Sequence, residues 1–326
     1  MSALPVSVIT GFLGSGKTTL LSHLLRDPAF ERTAVIINEF GAVGLDHLLV
    51  ESSDEQILML EGGCVCCTVR GDLVRTAGDL LARRAAGTVT AFERIVIETT
   101  GLADPAPVVH ALMTDRGIAE ALRLESVIAT VDAAAGGATL DAHPQSVKQA
   151  ALADCIVVTK SDLADPAANG LAARLEALNP AAPKLTAVHG VVDARLLFQV
   201  PRSNPAQNGD SHQLRNHHGD GIATFCLRRK KPLHAVTLSL FLQVVAEHCG
   251  ARLLRLKGLV DVVESPGRPA VIHGVQHVFH PPAWLDAWPD EDRSTRIVVI
   301  SQGLEARWLQ DLLELLDEEV SACSIS

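Results

Sequence analysis

The sequence predicts a doubly wound α/β domain with a mostly parallel sheet, followed by a smaller C-terminal α+β domain. From residue 5 to about 200, short apolar runs alternate with segments of helical apolar spacing, which is typical of a parallel sheet covered on both faces. The segment 201–221 is instead rich in Pro, Asn, Gly, Asp and His, which indicates a linker. The length of 326 residues suffices for two domains. The predicted organisation is a domain at 1–200, a linker at 201–221 and a domain at 222–326.

Each predicted element follows from the period of its apolar residues. In the first domain we expect strands at 6–10, 34–37, 94–98, 126–131, 155–159 and 184–188, and helices at 18–26, 72–84, 105–113 and 170–178. In the second domain we expect strands at 222–227, 252–263, 270–279 and 295–301, and helices at 237–248 and 305–319. This β-α-β-β-β-α order favours an antiparallel sheet.

The composition excludes several classes of function. Hydrophobic residues make up 48% of the chain and charged residues 20%, as in an ordinary globular protein. A formal charge of -10 and an aromatic content of 3% disfavour a nucleic-acid partner, because negative charge repels phosphate backbones. We also expect no membrane span and a cytoplasmic location, since no uninterrupted apolar stretch of about 18 residues and no leader pattern is visible.

The first motif with chemical content is GFLGSGKT at 11–18, directly after the first predicted strand and at the start of the first predicted helix. It fits G-x-x-x-x-G-K-[ST], the P-loop pattern, in which backbone N–H groups surround a phosphate at a helix N-terminus. The lysine reaches the β- and γ-phosphates, and the last hydroxyl is a ligand of Mg²⁺. The expected nucleotide contacts are Gly11, Gly14, Ser15, Gly16, Lys17 and Thr18.

A P-loop also needs a carboxylate near the metal, and Glu98 is the best candidate. It ends the apolar run 94–97, which would deliver it to the C-terminal edge of the sheet. There it can order a metal-bound or attacking water. Gly101 would let the backbone approach the γ-phosphate. We therefore assign Lys17 and Glu98 the catalytic roles.

Base selection is predicted at the end of a later strand, in the segment TKSD at 159–162. It is similar to the guanine signature N-K-x-D, with Thr159 in place of asparagine. Asp162 can accept hydrogen bonds from N1–H and N2–H₂ of guanine, a donor pair that adenine lacks. The stem of Lys160 can lie along the base. The pattern favours GTP over ATP.

Three cysteines lie within four residues at Cys64, Cys66 and Cys67, after a pair of glycines. Clustered thiolates suit Zn²⁺ or Cu(I) rather than Mg²⁺. Because zinc prefers four ligands, such a site keeps one position open, as metal transfer requires. Seven cysteines in all, with three in one cluster, do not indicate a disulfide framework.

Together these motifs resemble the CobW-type P-loop metallochaperone GTPase family, and within it the zinc-binding branch. The resemblance rests on TGFLGSGKTT at 10–19, NEFG at 38–41, GCVCC at 63–67, ETTGLADP at 98–105 and TKSD at 159–162. The segments 254–258, 273–275 and 284–300 extend it to the second domain. It implies a GTPase that uses Mg²⁺ and passes Zn²⁺ to a client metalloprotein.

The resemblance also implies roles for residues that spacing alone does not assign. Thr19 would join the nucleotide contacts, Glu39 would complete the zinc shell, and Asp46 would face Mg²⁺. Ala42 departs from the pattern, since many members carry glutamate there, which removes an auxiliary metal contact.

The chain has a shortened form of the family's histidine-rich loop, reduced to His212, His217 and His218, and we expect a solvated linker there. His110 is expected to be a surface histidine. Hydrolysis is expected to be slow, because neither an arginine finger nor a catalytic glutamine is evident.

Two other functions remain open at this point. A small-molecule kinase could use the same P-loop, with a structural metal at the cysteines and Arg83 and Arg84 as phosphate clamps. A GTP-switched metal sensor or buffer is the third alternative, although Lys17, Thr18 and Glu98 favour catalysis. The sequence leaves the client and the oligomeric state open, a homodimer included.

Overall fold

The computed structural model of the protein describes residues 3–37, 57–59, 68–164, 170–198, 215–216 and 221–324. The chain divides into two compact units, Met1–Arg174 with Ala182–Val200, and Leu175–Ala181 with Pro201–Ser326. Each unit is organised around its own sheet.

The first sheet is parallel, and its strands are ordered β3-β2-β4-β1-β5-β6-β7 in the described residues. These strands are β1 (Leu4–Gly11), β2 (Thr33–Ile37), β3 (Ile57–Met59), β4 (Arg94–Glu98), β5 (Leu122–Asp132), β6 (Cys155–Thr159) and β7 (Lys184–Ala187). The helices that accompany them are α1 (Lys17–Leu24), α2 (Thr68–Ala85), α3 (Ala106–Thr114), α4 (Gly136–Ala142), α5 (Pro144–Leu152), α6 (Leu171–Leu178) and α7 (Ala194–Phe198). The carboxyl ends of parallel strands share one edge, so β1, β4, β5 and β6 deliver their last residues to the same place.

The first core forms where α1 packs on the sheet. Leu20, Leu21 and Leu24 of α1 are buried in one cluster with Ile9 of β1 and Val96 of β4. These leucines recur at helical spacing, so one face of α1 is apolar and the helix that starts at the P-loop is held against the sheet.

The second sheet is antiparallel and has the order β12-β11-β10-β14-β9-β8, with β13 paired to β11. Its elements are β8 (Arg215–Asn216), β9 (Ile222–Arg229), α8 (Ala235–Cys249), β10 (Leu253–Val260), β11 (Ala270–Val275), β12 (Val278–Phe279), β13 (Ala283–Trp284), β14 (Thr295–Gln302) and α9 (Ala306–Ser324). Phe241 and Val245 of α8 and Leu309 of α9 are buried in one cluster with Leu256 and Val299 of the sheet. The predicted fold class is therefore confirmed in both parts of the chain.

Some elements differ from the sequence-based expectation. The predicted strand 270–279 is two strands, β11 and β12, because Gln276 adopts a left-handed conformation with φ 53° and the chain reverses there. The helices α4, α5 and α7 and the short strands β3, β8 and β13 were not predicted.

None of the helices in the described ranges combines the length and the apolar character that crossing a bilayer requires. The predicted linker at 201–221 lies mostly outside the described residues, so its bounds stay a prediction.

Candidate nucleotide-binding site

The P-loop joins the end of β1 to the start of α1, as its sequence predicts. Gly11 has φ 145°, and a Cβ on it would lie 2.3 Å from Thr130 Oγ1 of β5. Only glycine fits a position where the loop backbone runs this close to the neighbouring strand. Gly14 and Gly16 also have positive φ, 71° and 90°. The three predicted glycines therefore have a conformational reason for their positions.

Lys17 contacts the P-loop backbone, and Glu98 contacts the residue that follows Lys17. The Nζ of Lys17 donates hydrogen bonds to the carbonyls of Gly11 at 3.0 Å and Phe12 at 3.2 Å. The hydroxyl of Thr18 donates to Oε1 of Glu98 at 2.8 Å, and Glu98 is 5% exposed. Two residues that are 80 positions apart in sequence thus meet at the sheet edge, because β1 and β4 are paired in register.

The segment after Glu98 lies against the P-loop. The N–H of Thr99 donates to the carbonyl of Ile9 at 2.9 Å, and its hydroxyl donates to Thr10 Oγ1 at 2.9 Å. A Cβ on Gly101 would lie 2.7 Å from the backbone nitrogen of Leu13. Gly101 is therefore needed where the two backbones touch, and the predicted approach of its backbone to the γ-phosphate stays a prediction.

Two threonine hydroxyls, one on β5 and one on β6, contact Ser15 of the P-loop. Ser15 Oγ lies 2.6 Å from Thr130 Oγ1, and Thr159 Oγ1 donates to the carbonyl of Ser15 at 2.7 Å. The threonine that replaces asparagine in the guanine signature is buried, with 3% of its surface exposed. Its hydroxyl fastens the end of β6 to the P-loop, so a base contact through the same proton would compete with that bond.

Lys160 is held by a carboxylate that the sequence analysis did not single out. Lys160 has φ 54°, and its Nζ lies 2.8 Å from Oδ2 of Asp132, the last residue of β5. Burial by itself would raise the pKa of Asp132, but hydrogen bonds from Lys160 and from the N–H groups of Ala134 and Ala135 lower it below its ordinary value. Asp132 gives the same signal as Glu98, a carboxylate at the carboxyl end of an apolar strand.

Asp162 lies on the short 3-10 turn Ser161–Leu163 and is exposed to solvent. A second left-handed residue, His189 with φ 50°, lies two residues after the end of the neighbouring strand β7. Gly190 follows it and packs against Thr19 and His23 of α1. The predicted base contact through Asp162 stays a prediction, and its carboxylate is accessible to a ligand.

A cavity of about 40 Å³ borders the P-loop on the side of α4 and α5. Its lining includes Phe12 and Leu13 of the loop, Thr130 of β5 and the buried Gln149 of α5. Sequence analysis did not identify Gln149, because the Pro-initiated, Ala-containing helix that carries it was not predicted.

The predicted zinc site lies outside the described residues. This applies to Cys64, Cys66, Cys67, Glu39 and Asp46, and also to Ala42, His212, His217 and His218. Within the described residues, no group of three or more His, Cys, Asp or Glu side chains could hold a metal ion. His110 is on α3, where Thr114 Oγ1 lies 3.2 Å from its Nδ1.

Two models of known protein families together match most of the chain. Residues 5–186 match the family model of the CobW/HypB/UreG nucleotide-binding domain. Residues 222–316 match the C-terminal domain of the cobalamin synthesis protein cobW. The two matches fall on the two parts of the chain that carry separate sheets.

Several curated proteins are similar over nearly the whole length. The zinc chaperone YjiA of Escherichia coli is 32% identical, over 99% of this chain and 98% of its own. The zinc chaperone CobW of Pseudomonas aeruginosa is 31% identical, over 94% of this chain and 89% of its own. The crystal structure of Zn(II)-bound YjiA GTPase superimposes with a TM-score of 0.72 at 27% identity, over 97% of this chain and 99% of that one.

Proposed function

Since this chain belongs to the CobW/HypB/UreG family of nucleotide-binding proteins, we propose that it is a GTP-hydrolysing zinc metallochaperone. The observation that carries the proposal is the meeting of Lys17, Thr18 and Glu98 at the P-loop, in a chain that also has the cysteine cluster at 64–67. The first set suits a metal-bound nucleoside triphosphate, and the second suits a soft metal ion. The similarity to two zinc chaperones supports zinc as the transported metal.

In the proposed mechanism Lys17 and the P-loop N–H groups hold the phosphates. The Thr18 hydroxyl and the Glu98 carboxylate are hard oxygen donors next to each other, and such donors fit Mg²⁺. Bound Mg²⁺ would neutralise charge that develops on the phosphates. Glu98 orients the attacking water, and Gly101 keeps the loop backbone within reach of the terminal phosphate.

The transported zinc would be held by the thiolates of Cys64, Cys66 and Cys67, with Glu39 as an additional ligand in one nucleotide state. An incomplete protein shell leaves the ion available to a ligand of the client protein. GTP, GDP and a metalloprotein client are therefore the proposed partners.

The contacts of Arg84 argue against the kinase alternative. Its Nε donates to the carbonyl of Phe92 at 2.9 Å, and its guanidinium lies 5.3 Å from the centre of the Phe92 ring. An arginine that anchors α2 to the segment before β4 is a structural group rather than a phosphate clamp.

Nucleotide binding is tested by titrating GTP and ATP in the presence of Mg²⁺. Because ATP would leave the carboxylate of Asp162 without its donor pair, we expect GTP to bind at least about tenfold more tightly. Asp162→Ala should remove most of this preference. Equal affinity for the two nucleotides would contradict the guanine assignment and restore the kinase alternative.

Zinc binding is tested by comparing Cys66→Ser with Cys226→Ser. Burial raises the pKa of the Cys226 thiol, which keeps it protonated and makes it a suitable control. We expect the first variant to lose tight zinc binding and the second to retain it. If one tight Zn²⁺ per chain survives replacement of Cys64, Cys66 and Cys67 together, the cluster is not the zinc site.

A further inference from the structure

The loop that follows Glu98 is fastened on two sides. On one side Gly101 touches the backbone of Leu13 in the P-loop. On the other side the side-chain amide of Gln149 donates to the carbonyls of Gly101 at 3.2 Å and Ala103 at 3.0 Å. The proposed phosphate-facing loop is thus connected directly to α5.

The orientation of the Gln149 amide follows from these partners. Two carbonyl oxygens face one end of the amide, and only the NH₂ group can donate to both. Gln149 is 1% exposed, so both bonds form in a buried environment, where a lost hydrogen bond is costly. Its Oε1 has no hydrogen-bond partner among the described residues. The hydrogen bonds of the Gln149 side chain are therefore both donated to this loop.

Helix α5 is also tied to the P-loop itself. His143, which precedes the first residue of α5, stacks on Phe12 with the ring centres 4.3 Å apart and the planes 21° apart. Lys148 adds an ion pair with Asp104 at 3.4 Å, near the end of the loop that follows Glu98. The helix thus joins the two segments that would surround a terminal phosphate.

The loop held in this way presents a donor that has no partner. The hydroxyl of Thr100, adjacent to Gly101, is buried and makes no hydrogen bond within the part of the chain that the structure describes. A buried hydroxyl without a hydrogen bond destabilises the folded protein. A ligand oxygen that accepts a hydrogen bond from it would remove this penalty. This observation points to an oxygen-rich ligand on that side of the loop.

We propose that Gln149 is a positioning residue that holds the loop 99–105 in the conformation that senses the γ-phosphate. Its two hydrogen bonds fix the Gly101 and Ala103 carbonyls and thereby the direction of the neighbouring N–H and hydroxyl groups. GDP lacks the γ-phosphate, so its binding does not depend on this loop. The inference rests on the proposed guanine-nucleotide binding and adds the residue that sets its sensitivity to the nucleotide state.

The test measures the affinities of a non-hydrolysable GTP analogue and of GDP, both with Mg²⁺, for the full chain and its variants. Gln149→Glu keeps the size of the side chain and removes both donors. We expect it to weaken binding of the GTP analogue about tenfold, as expected for the net loss of one or two buried hydrogen bonds, and to leave GDP affinity within about twofold. Gln145→Glu is the matched control, because the same change is made on an exposed residue of α5, and it should alter neither affinity.

A merely structural role would change both affinities together, so the ratio of the two is the decisive measurement. Gln149→Met, which retains volume without charge, should lower the ratio in the same direction and serves if the glutamate variant does not fold. An unchanged ratio in a folded variant overturns the inference and leaves the proposed function intact. If the unmodified protein binds neither guanine nucleotide, the proposed function and this inference both fail.

Discussion

Glu98 is the side chain on which the proposed hydrolysis depends most directly. Glu98→Gln keeps the shape of the side chain and an oxygen that can accept from Thr18, but removes the charge that orients water. We expect single-turnover GTP hydrolysis to slow by about 10² or more while GTP binding is retained. Glu93→Gln is the control, since Glu93 is exposed and pairs with Arg32 away from the P-loop. Equal rates for wild type and Glu98→Gln would remove Glu98 from the mechanism.

Asp132 would act on the proposed base contact through Lys160. Asp132→Asn weakens the ion pair that holds the lysine, and we expect a loss of GTP affinity of about tenfold, the scale of one charge-assisted hydrogen bond. Asp141→Asn removes the charge of an exposed carboxylate that pairs with Arg174 and should leave affinity unchanged. Isothermal titration of GTP into the three proteins is the measurement.

The pKa of Asp132 also predicts how this contribution changes with pH. A carboxylate whose pKa is lowered in the folded protein contributes the stability of its ion pair above its ordinary pKa, 3.8, and loses it as the pH falls through the lowered value. The ion pair that holds Lys160 should therefore persist from about pH 8 to pH 5, so the GTP affinity of wild type should exceed that of Asp132→Asn by a constant factor over this range and lose this excess only below about pH 4. A loss of the advantage already between pH 7 and 6 would contradict the assigned ion pair.

Single residues were predictable from sequence where a motif fixes both type and position. The glycines, Lys17 and Thr18 follow from the P-loop pattern, and Glu98 from its place at a strand end. Asp132 carries the same signal, since it is a carboxylate at the end of an apolar strand. Gln149 could not be found in this way, because its partners are backbone carbonyls 46 and 48 residues away. Every residue type has a backbone carbonyl, so the partner's identity gives no sequence signal for such a bond.

At the scale of elements, β14 carries a buried arginine whose partners come from the preceding loop. Arg296 is 2% exposed, and both oxygens of Asp290 accept from its guanidinium at 3.0 Å, with Asp292 at 3.3 Å. Asp290→Ala leaves the buried guanidinium of Arg296 with only the longer ion pair to Asp292 among these two partners. We expect a loss of about 3 kcal/mol in the free energy of unfolding, the lower end of the range for broken buried pairs.

The measurement is denaturant unfolding followed by tryptophan fluorescence, because all three tryptophans, at 284, 288 and 308, lie in the second part of the chain. Asp286→Ala is the control, since Asp286 is fully exposed although it pairs with Arg268. A loss of equal size in both variants would mean that the buried ion pair is not the cause.

Predictability of the elements depended on how apolar they are. The strands β4 and β6 have the predicted bounds, because each contains three consecutive β-branched apolar residues, the pattern of a buried parallel strand. Helices α4 and α5 are short and composed largely of Ala, Gly, Gln and Ser, so their apolar period is weak. The hairpin between β11 and β12 turns at Gln276, a residue that does not ordinarily signal a left-handed turn.

At the scale of the whole molecule, the proposed function requires that nucleotide and zinc influence each other. Ile37, the last residue of β2, is the register partner of Glu98, so the chain that leads to Glu39 starts beside the proposed catalytic carboxylate. The cysteine cluster ends at Cys67, directly before α2. The segment that would bind zinc is therefore anchored at its start to the sheet edge that would bind GTP.

This arrangement predicts a measurable coupling between the two ligands. If the terminal phosphate shifts the segment that carries Glu39 between two conformations, zinc affinity should differ between GTP and GDP states by about 5- to 150-fold. By linkage, zinc must change the ratio of GTP to GDP affinity by the same factor. The measurement is a competition titration of zinc against a chromophoric chelator, first with a non-hydrolysable GTP analogue and then with GDP. Glu39→Gln should reduce the difference, and Glu31→Gln, an exposed glutamate before β2, should not. If zinc affinity and zinc release rate are the same in both nucleotide states, GTP hydrolysis does not drive delivery, even though both ligands bind.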